Sequence, residues 1–215
     1  MEAIRKIPER NIVIFGMIAA LLYIFAAIYS PYASMFQSGS ILSPSIITVV
    51  IMLPLVLFFA ASWLRPADPP LRRAGSLIAA ISGIVVTVLQ IYYYSVWMDV
   101  MLPADGYSMV GTLKTASLLL KLANTVLYVG IILIGVSFLS RTNRKFTKAG
   151  LANAIGAGIG CLSFPFAASG FFFQMGMDSD AANTMLLLFA LAARIPLFVL
   201  LYSIFKSQKV PEHKL

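Results

Sequence analysis

Six apolar stretches, at roughly residues 11–30, 45–64, 75–97, 112–139, 150–173 and 184–205, are separated by short polar segments. Each meets the roughly 20 residues that a helix needs to cross about 30 Å of hydrocarbon. The pattern predicts an all-α fold: a polytopic membrane protein of six transmembrane helices, with residues 1–215 as one membrane domain. The first stretch follows Arg5, Lys6 and Arg10, as a signal peptide would. Its apolar run is longer than the roughly 7–15 residues of a signal-peptide core, so it is read as an uncleaved first span.

The polar segments differ in charge by alternation. Basic residues occupy the N-terminus (Arg5, Lys6, Arg10), the loop after span two (Arg65, Arg72, Arg73), the loop after span four (Arg141, Arg144, Lys145, Lys148) and the tail (Lys206, Lys209, Lys214). The other three loops carry Asp99, Asp105, Asp178 and Asp180 instead. Cytoplasmic loops gather Lys and Arg, so both termini are expected in the cytoplasm of a cell-membrane protein, with which an even span count agrees. Aromatic residues mark the opposite boundary: Tyr92, Tyr93, Tyr94 and Trp97 end span three, and Phe171, Phe172 and Phe173 end span five.

Composition agrees. Of the 215 residues, 60% are hydrophobic and 11% charged, against about a quarter charged in soluble domains. The net charge of +8 does not point to nucleic acid, because 13 of the 16 Lys and Arg residues sit in the four orienting segments. The single cysteine, Cys161, excludes a disulfide within the chain. The single histidine, His213, lies near the C-terminus, so no imidazole is available in the bundle for haem, zinc or general-base chemistry. With Asp99 taken as interfacial, the spans hold no carboxylate for a proton relay. No P-loop, zinc-protease, nucleophile-elbow or C-x-x-C motif is present. No metal or cofactor is expected.

A shift of 75 residues lays Ser62–Ile84 on Ser137–Ile159 without a gap, with seven of 23 positions identical, among them Gly75/Gly150 and Gly83/Gly158. A duplicated parallel hairpin, spans two–three and four–five, would give this likeness. So would two turns of converging composition between small-residue helices. Close helix approach is expected at Gly83 in span three, and at Gly156 and Gly160, spaced four apart with Ala152, in span five.

Three further basic residues stand where lipid penalises charge. Arg194 lies twelve residues before Lys206, about 18 Å along the helix and near mid-membrane. An arginine there costs at least ~2.5 kcal/mol unless it faces protein or water. Pro196 frees the carbonyl of Ala192 beside it, so Arg194 either serves a ligand or braces backbone carbonyls. In span four, Lys114, Ser117, Lys121, Asn124, Thr125 and Tyr128 fall within one arc of about 100°. Lys121 is about 30 Å from Arg141, so the stripe lines the outer half only, and Lys114 reaches the headgroup layer. Gln90 shares a face with Tyr94 and Trp97, to orient a ligand or bond a neighbouring helix.

These positions point to a non-enzymatic membrane protein that binds or transports a small anionic or amphipathic ligand in an outward-facing polar cavity. Arg194 and Lys121 would supply charge, and Asn124, Tyr128 and Gln90 would orient the ligand. One rival is a regulatory, immunity or accessory subunit that contacts another membrane protein through the small-residue faces. An intramembrane enzyme is the other, and a Ser–Lys pair is the one hydrolytic arrangement the composition leaves open. The topology is testable. Reporters at both termini and labels near Arg72 and Lys145 should report the cytoplasm, and labels near Gly39, Asp105 and Asp180 the exterior. An external C-terminus would overturn the span count.

Overall fold

A computed structural model of the chain describes residues 9–29, 42–101, 106–139 and 146–208. Arg5, Lys6, Gly39, Asp105, Arg141, Arg144, Lys145, Lys209, His213 and Lys214 lie outside the described residues. Among those described there is no strand. The helices are α1 (Glu9–Tyr29), α2 (Leu42–Trp63), α3 (Pro70–Met101), α4 (Gly106–Ser137), α5 (Thr147–Cys161), α6 (Ser163–Ser169), α7 (Phe171–Gln174) and α8 (Ser179–Ser207). Six spans, with α5 and α6 counted together, are long and apolar enough to cross a membrane. Their outward faces are apolar too, with Ile18 51%, Ile155 55% and Val88 60% exposed. A bundle that exposes such side chains at mid-helix matches lipid rather than water.

Local chemistry sets the helix ends. Pro70 opens α3, where a missing N–H is harmless. Asp178 caps α8, its carboxylate accepting from the Ala181 N–H at 2.7 Å. Span five is broken, where the sequence predicts one helix over 150–173. Pro165 cannot donate to the carbonyl of Cys161, and the helix restarts at Ser163, placing the proline in a first turn that needs no donor. Gly170, with φ 64°, ends that piece in the left-handed conformation glycine favours.

The spans form a ring in chain order. Helix α1 packs on α2, α2 on α3, α3 on α4, α4 on α5, α5 on α8, and α8 returns to α1. The segments carrying Glu9, Arg65, Arg72, Phe138 and Ile204 meet at one end, here termed the basic end. The innermost layer of the ring is apolar, with Ala19, Leu55, Phe59, Leu127, Ile131, Leu197 and Leu200 essentially inaccessible.

Glycine brings backbones together around the ring. A Cβ on Gly75 would lie 2.7 Å from the Gly130 carbonyl oxygen, and one on Gly150 2.7 Å from that of Gly135. Thus α4 is gripped between α3 and α5. The two glycines superposed by the 75-residue shift therefore meet the span that follows in one case and the span that precedes in the other. Their likeness in sequence is not matched by a likeness in contact.

The predicted close approaches at Gly83, Gly156 and Gly160 are present. A Cβ on Gly83 would lie 2.8 Å from Val56, and one on Gly160 2.6 Å from the Ala193 Cβ. Gly156 is tightest: a Cβ there would overlap the carbonyl oxygen of Ala192, the group freed by Pro196, and come within 2.8 Å of the proline ring. Ala152 does not join this face and is exposed. Nor does Gly158, whose Cβ would meet nothing. This asymmetry makes a controlled test. Gly156→Ala should cost about 1–3 kcal/mol by overpacking, and Gly156→Leu should abolish assembly. Gly158→Ala should be neutral or gain up to about 1 kcal/mol from helix propensity. Thermal melts in detergent would check this, and equal behaviour of the two alanine variants would refute the packing.

Candidate functional site

Arg194 stands midway along α8, about 20 Å from either end, and points into the ring. Its Nη1 donates to the backbone carbonyl of Tyr23 on α1 at 2.6 Å. The guanidinium lies over the Tyr23 ring, 3.9 Å from its centroid, a favourable cation–π geometry. The phenol of Tyr128 is its next polar neighbour. Tyr23 and Tyr128 are 1% and 2% exposed, so the two aromatic groups beside the guanidinium are buried, while Arg194 itself is part-buried. The brace differs from that expected from sequence: Arg194 holds a carbonyl of another helix, and the freed Ala192 carbonyl is met by Gly156 instead.

Three buried atoms around this cluster have no hydrogen-bond partner: Nε of Arg194, Oδ1 of Asn124 and the hydroxyl of Tyr23. The Asn124 Nδ2 donates to its own helix at Leu120, 2.9 Å away, which leaves its oxygen free. Arg194 and Asn124, with Tyr23, Thr48, Gln90 and Tyr94, line a cavity of about 80 Å³. Its remaining wall is apolar, including Ile51, Met52 and Val86. At roughly 15 Å³ per water-sized site, the space holds about five non-hydrogen atoms of ligand or as many waters. It lies on the side of Arg194 away from the basic end.

Of the residues singled out from sequence, Arg194, Asn124 and Gln90 are brought together. Tyr128 supports the guanidinium from behind, and its ring lies 3.0 Å from where a Gly160 Cβ would stand. Lys121 is half-buried on the same helix but is not in the cavity wall, and Lys114 is exposed, as a headgroup residue would be. Among the described residues, Arg194 is therefore the only charged one lining the cavity. Asp178, a conceivable counter-charge, is engaged as a helix cap. The described ion pairs, Arg65–Glu9 at 3.6 Å and Arg72–Asp68 at 2.8 Å, both lie at the basic end.

That end holds a second cavity, of about 50 Å³, lined by Glu9, Ser62, Arg65, Asp68, Arg72 and Ser76. Arg72 also lies over the Phe138 ring, 4.0 Å from its centroid. Burial raises the Asp68 carboxyl above the ordinary range, and the opposing pull of Arg72 and Arg65 does not cancel it. The Ser76 hydroxyl is buried without a partner. The sequence reading does not anticipate this cavity, because its residues belong to loops assigned to orientation alone. Tyr23 is likewise unanticipated, although a signal exists: it lies 13 residues after Arg10, and Arg194 lies 12 before Lys206, so both share one depth. Asn153, fully buried and donating to the Ile131 carbonyl at 3.0 Å, ties α5 to α4 and had no outward sign in sequence.

Compared with models of protein families, with curated proteins and with solved structures, the chain matches none. Function must therefore be argued from the site itself. One property of the site is directly measurable. Tyr23→Phe deletes a hydroxyl that bonds nothing and keeps the ring under Arg194, so stability should hold or rise slightly. Tyr23→Leu removes the ring and should cost at least about 0.5–2 kcal/mol from the lost cation–π contact. Melting both variants in detergent would check the pair. Equal losses would refute the stacked arrangement.

Proposed function

We propose that the protein is a multi-pass membrane protein that binds a small anion in the cavity at Arg194. One observation carries the reading: a guanidinium at mid-membrane, with no carboxylate among the described residues of the cavity wall, retains a buried donor without a partner. An intramembrane charge in such a setting faces a pathway or a ligand by default. The Asn124 oxygen is an unpaired acceptor on the same cavity. A matching ligand has an anionic group for Arg194, a hydrogen-bond donor for Asn124, and about five non-hydrogen atoms. Hydroxy- and amino-carboxylates and hydrogen phosphate fit that description. Gln90 and Tyr94 add polar contacts at the rim, and Ile51, Met52 and Val86 exclude bulkier polar solutes.

The accessory-subunit alternative relies on small-residue faces free to meet another protein. Gly83, Gly156 and Gly160 are occupied by helices of the same chain, which weakens that support. With both termini cytoplasmic, the Arg194 cavity would lie in the outer half of the membrane.

The test is thermal unfolding of the purified protein with glycolate, glycine or hydrogen phosphate, and chloride as control. A ligand at 100 times its Kd stabilises by about 2.7 kcal/mol, a rise of several degrees. Arg194→Gln keeps a donor for the Tyr23 carbonyl while removing the charge. It should melt somewhat below the parent, by about the 0.5–2 kcal/mol of the lost cation–π contact, and lose the ligand-dependent rise. If no panel anion shifts the parent, or if Arg194→Gln shifts equally, the binding proposal fails.

A further inference from the structure

The two cavities lie on one axis. The Arg194 cavity is walled by α1, α2, α3, α4 and α8, and so is the cavity at the basic end; α5 and α6 line neither. Between them stands the apolar layer of Leu55, Phe59, Leu127, Ile131 and Leu197, all buried. Along α2 the cavities are separated by the helical rise from Met52 to Phe58, about 9 Å. Along α1, from Val13 to Tyr23, the gap is about 15 Å. A partition of two to three helical turns is all that divides the polar spaces.

That partition coincides with the places where the five helices are least able to resist movement. Pro54 interrupts α2 between its residues on the two cavities, and Pro196 does the same in α8. Each proline removes a ladder hydrogen bond, which makes these the points at which the helices can flex. In the other three helices the corresponding interval contains a glycine: Gly16 in α1, Gly83 in α3 and Gly130 in α4. At Gly83 and Gly130 the facing atoms are Val56 and the backbone of Gly75 and Ala79. The largely backbone contact at Gly130 offers surfaces that can rock past one another, whereas Gly16 and Gly83 each seat a side chain, the Phe58 ring and Val56. Asn153 ties α5, the helix outside both cavities, to α4 with a cross-helix hydrogen bond, and the Arg194–Tyr23 bond joins α8 to α1 on the side of Pro196 away from the basic end.

We propose that the two cavities are the halves of one translocation route for a small anion, closed in this structure by the Leu55–Phe59–Ile131 layer and opened by flexing at Pro54 and Pro196. This rests on the anion-binding reading of the Arg194 cavity. At the basic end the anion meets Arg65 and Arg72, which carboxylates of Glu9 and Asp68 hold in its absence. An entering anion exchanges for those carboxylates, so passage never leaves an arginine unpaired. Ser62 and Ser76 supply hydroxyls along the same wall. Rocking of helices around a mid-membrane site is the general means by which such a closed layer is opened to one side at a time.

The experiment uses the full chain with Cys161→Ala, reconstituted so that each face can be addressed separately. The probe is iodoacetate, a small anion of about five non-hydrogen atoms that alkylates thiols with loss of iodide. Gln90→Cys should react from the face opposite the basic end only, and Ser76→Cys from the basic face only. Leu55→Cys and Ile131→Cys, in the partition, should react from both faces, more slowly. Adding Pro54→Ala should slow the partition positions at least tenfold and leave Gln90→Cys and Ser76→Cys unchanged. Two partition positions are used so that one poorly folding variant does not decide the matter. Inert partition cysteines, reaction from a single face, or indifference to Pro54→Ala would each overturn the route. If the partition stays shut while glycolate or phosphate still stabilises the parent, the route fails and anion binding stands. If the partition opens but no anion binds, the binding reading fails instead.

Discussion

The fold turns on one charge that must be solvated without water. A guanidinium near the middle of an apolar helix would cost several kilocalories per mole if turned to lipid. In this chain it is met by a carbonyl and an aromatic face of a helix 171 residues away in sequence. The contact therefore does two things at once. It compensates for the charge, and it joins the last helix to the first. The remaining neighbours in the ring are also neighbours in the chain and need no such tie.

The second constraint is spacing. Helices in lipid gain little from burying apolar side chains against each other, because the solvent they leave is equally apolar. Association then depends on close approach, and this bundle achieves it by glycine facing backbone: Gly75 on Gly130, Gly135 on Gly150, Gly156 on Ala192. The last of these explains how a proline is tolerated in α8. The carbonyl that Pro196 strips of its donor is turned to a glycine surface that can approach it, not to hydrocarbon. The same proline thus loosens its own helix while helping to seat a neighbour.

Much of this was legible in the sequence, and what was not has identifiable causes. The spans were legible because hydrocarbon thickness sets helix length more firmly than any soluble core does. Arg194, Asn124 and Gln90 were legible as a group because polar residues at mid-span are rare enough to be conspicuous. Lys121 shared the helical arc of Asn124, yet lies outside the cavity wall; an arc of about 100° is wider than the sector one small cavity occupies. The stripe Ala152–Gly156–Gly160 was right at two positions and wrong at the third, since spacing names a face but not where a partner stops. The break in span five depends on Pro165, which a smooth hydropathy profile hides. The basic-end cavity was overlooked because arginines in cytoplasm-type loops already had an explanation in orientation.

The order of the ring has a consequence for how the protein is made. Spans leave the ribosome in the order in which they sit, so α1 through α5 can dock as they arrive, each against a helix already in the membrane. Only the final span must find a partner synthesised at the very beginning. Until it does, its arginine has no carbonyl of α1 to bond, so an unclosed ring holds an uncompensated charge at mid-membrane. Closing the six-span ring is thus a single step, the docking of α8 on α1, and until it occurs the arginine stands in lipid without its carbonyl.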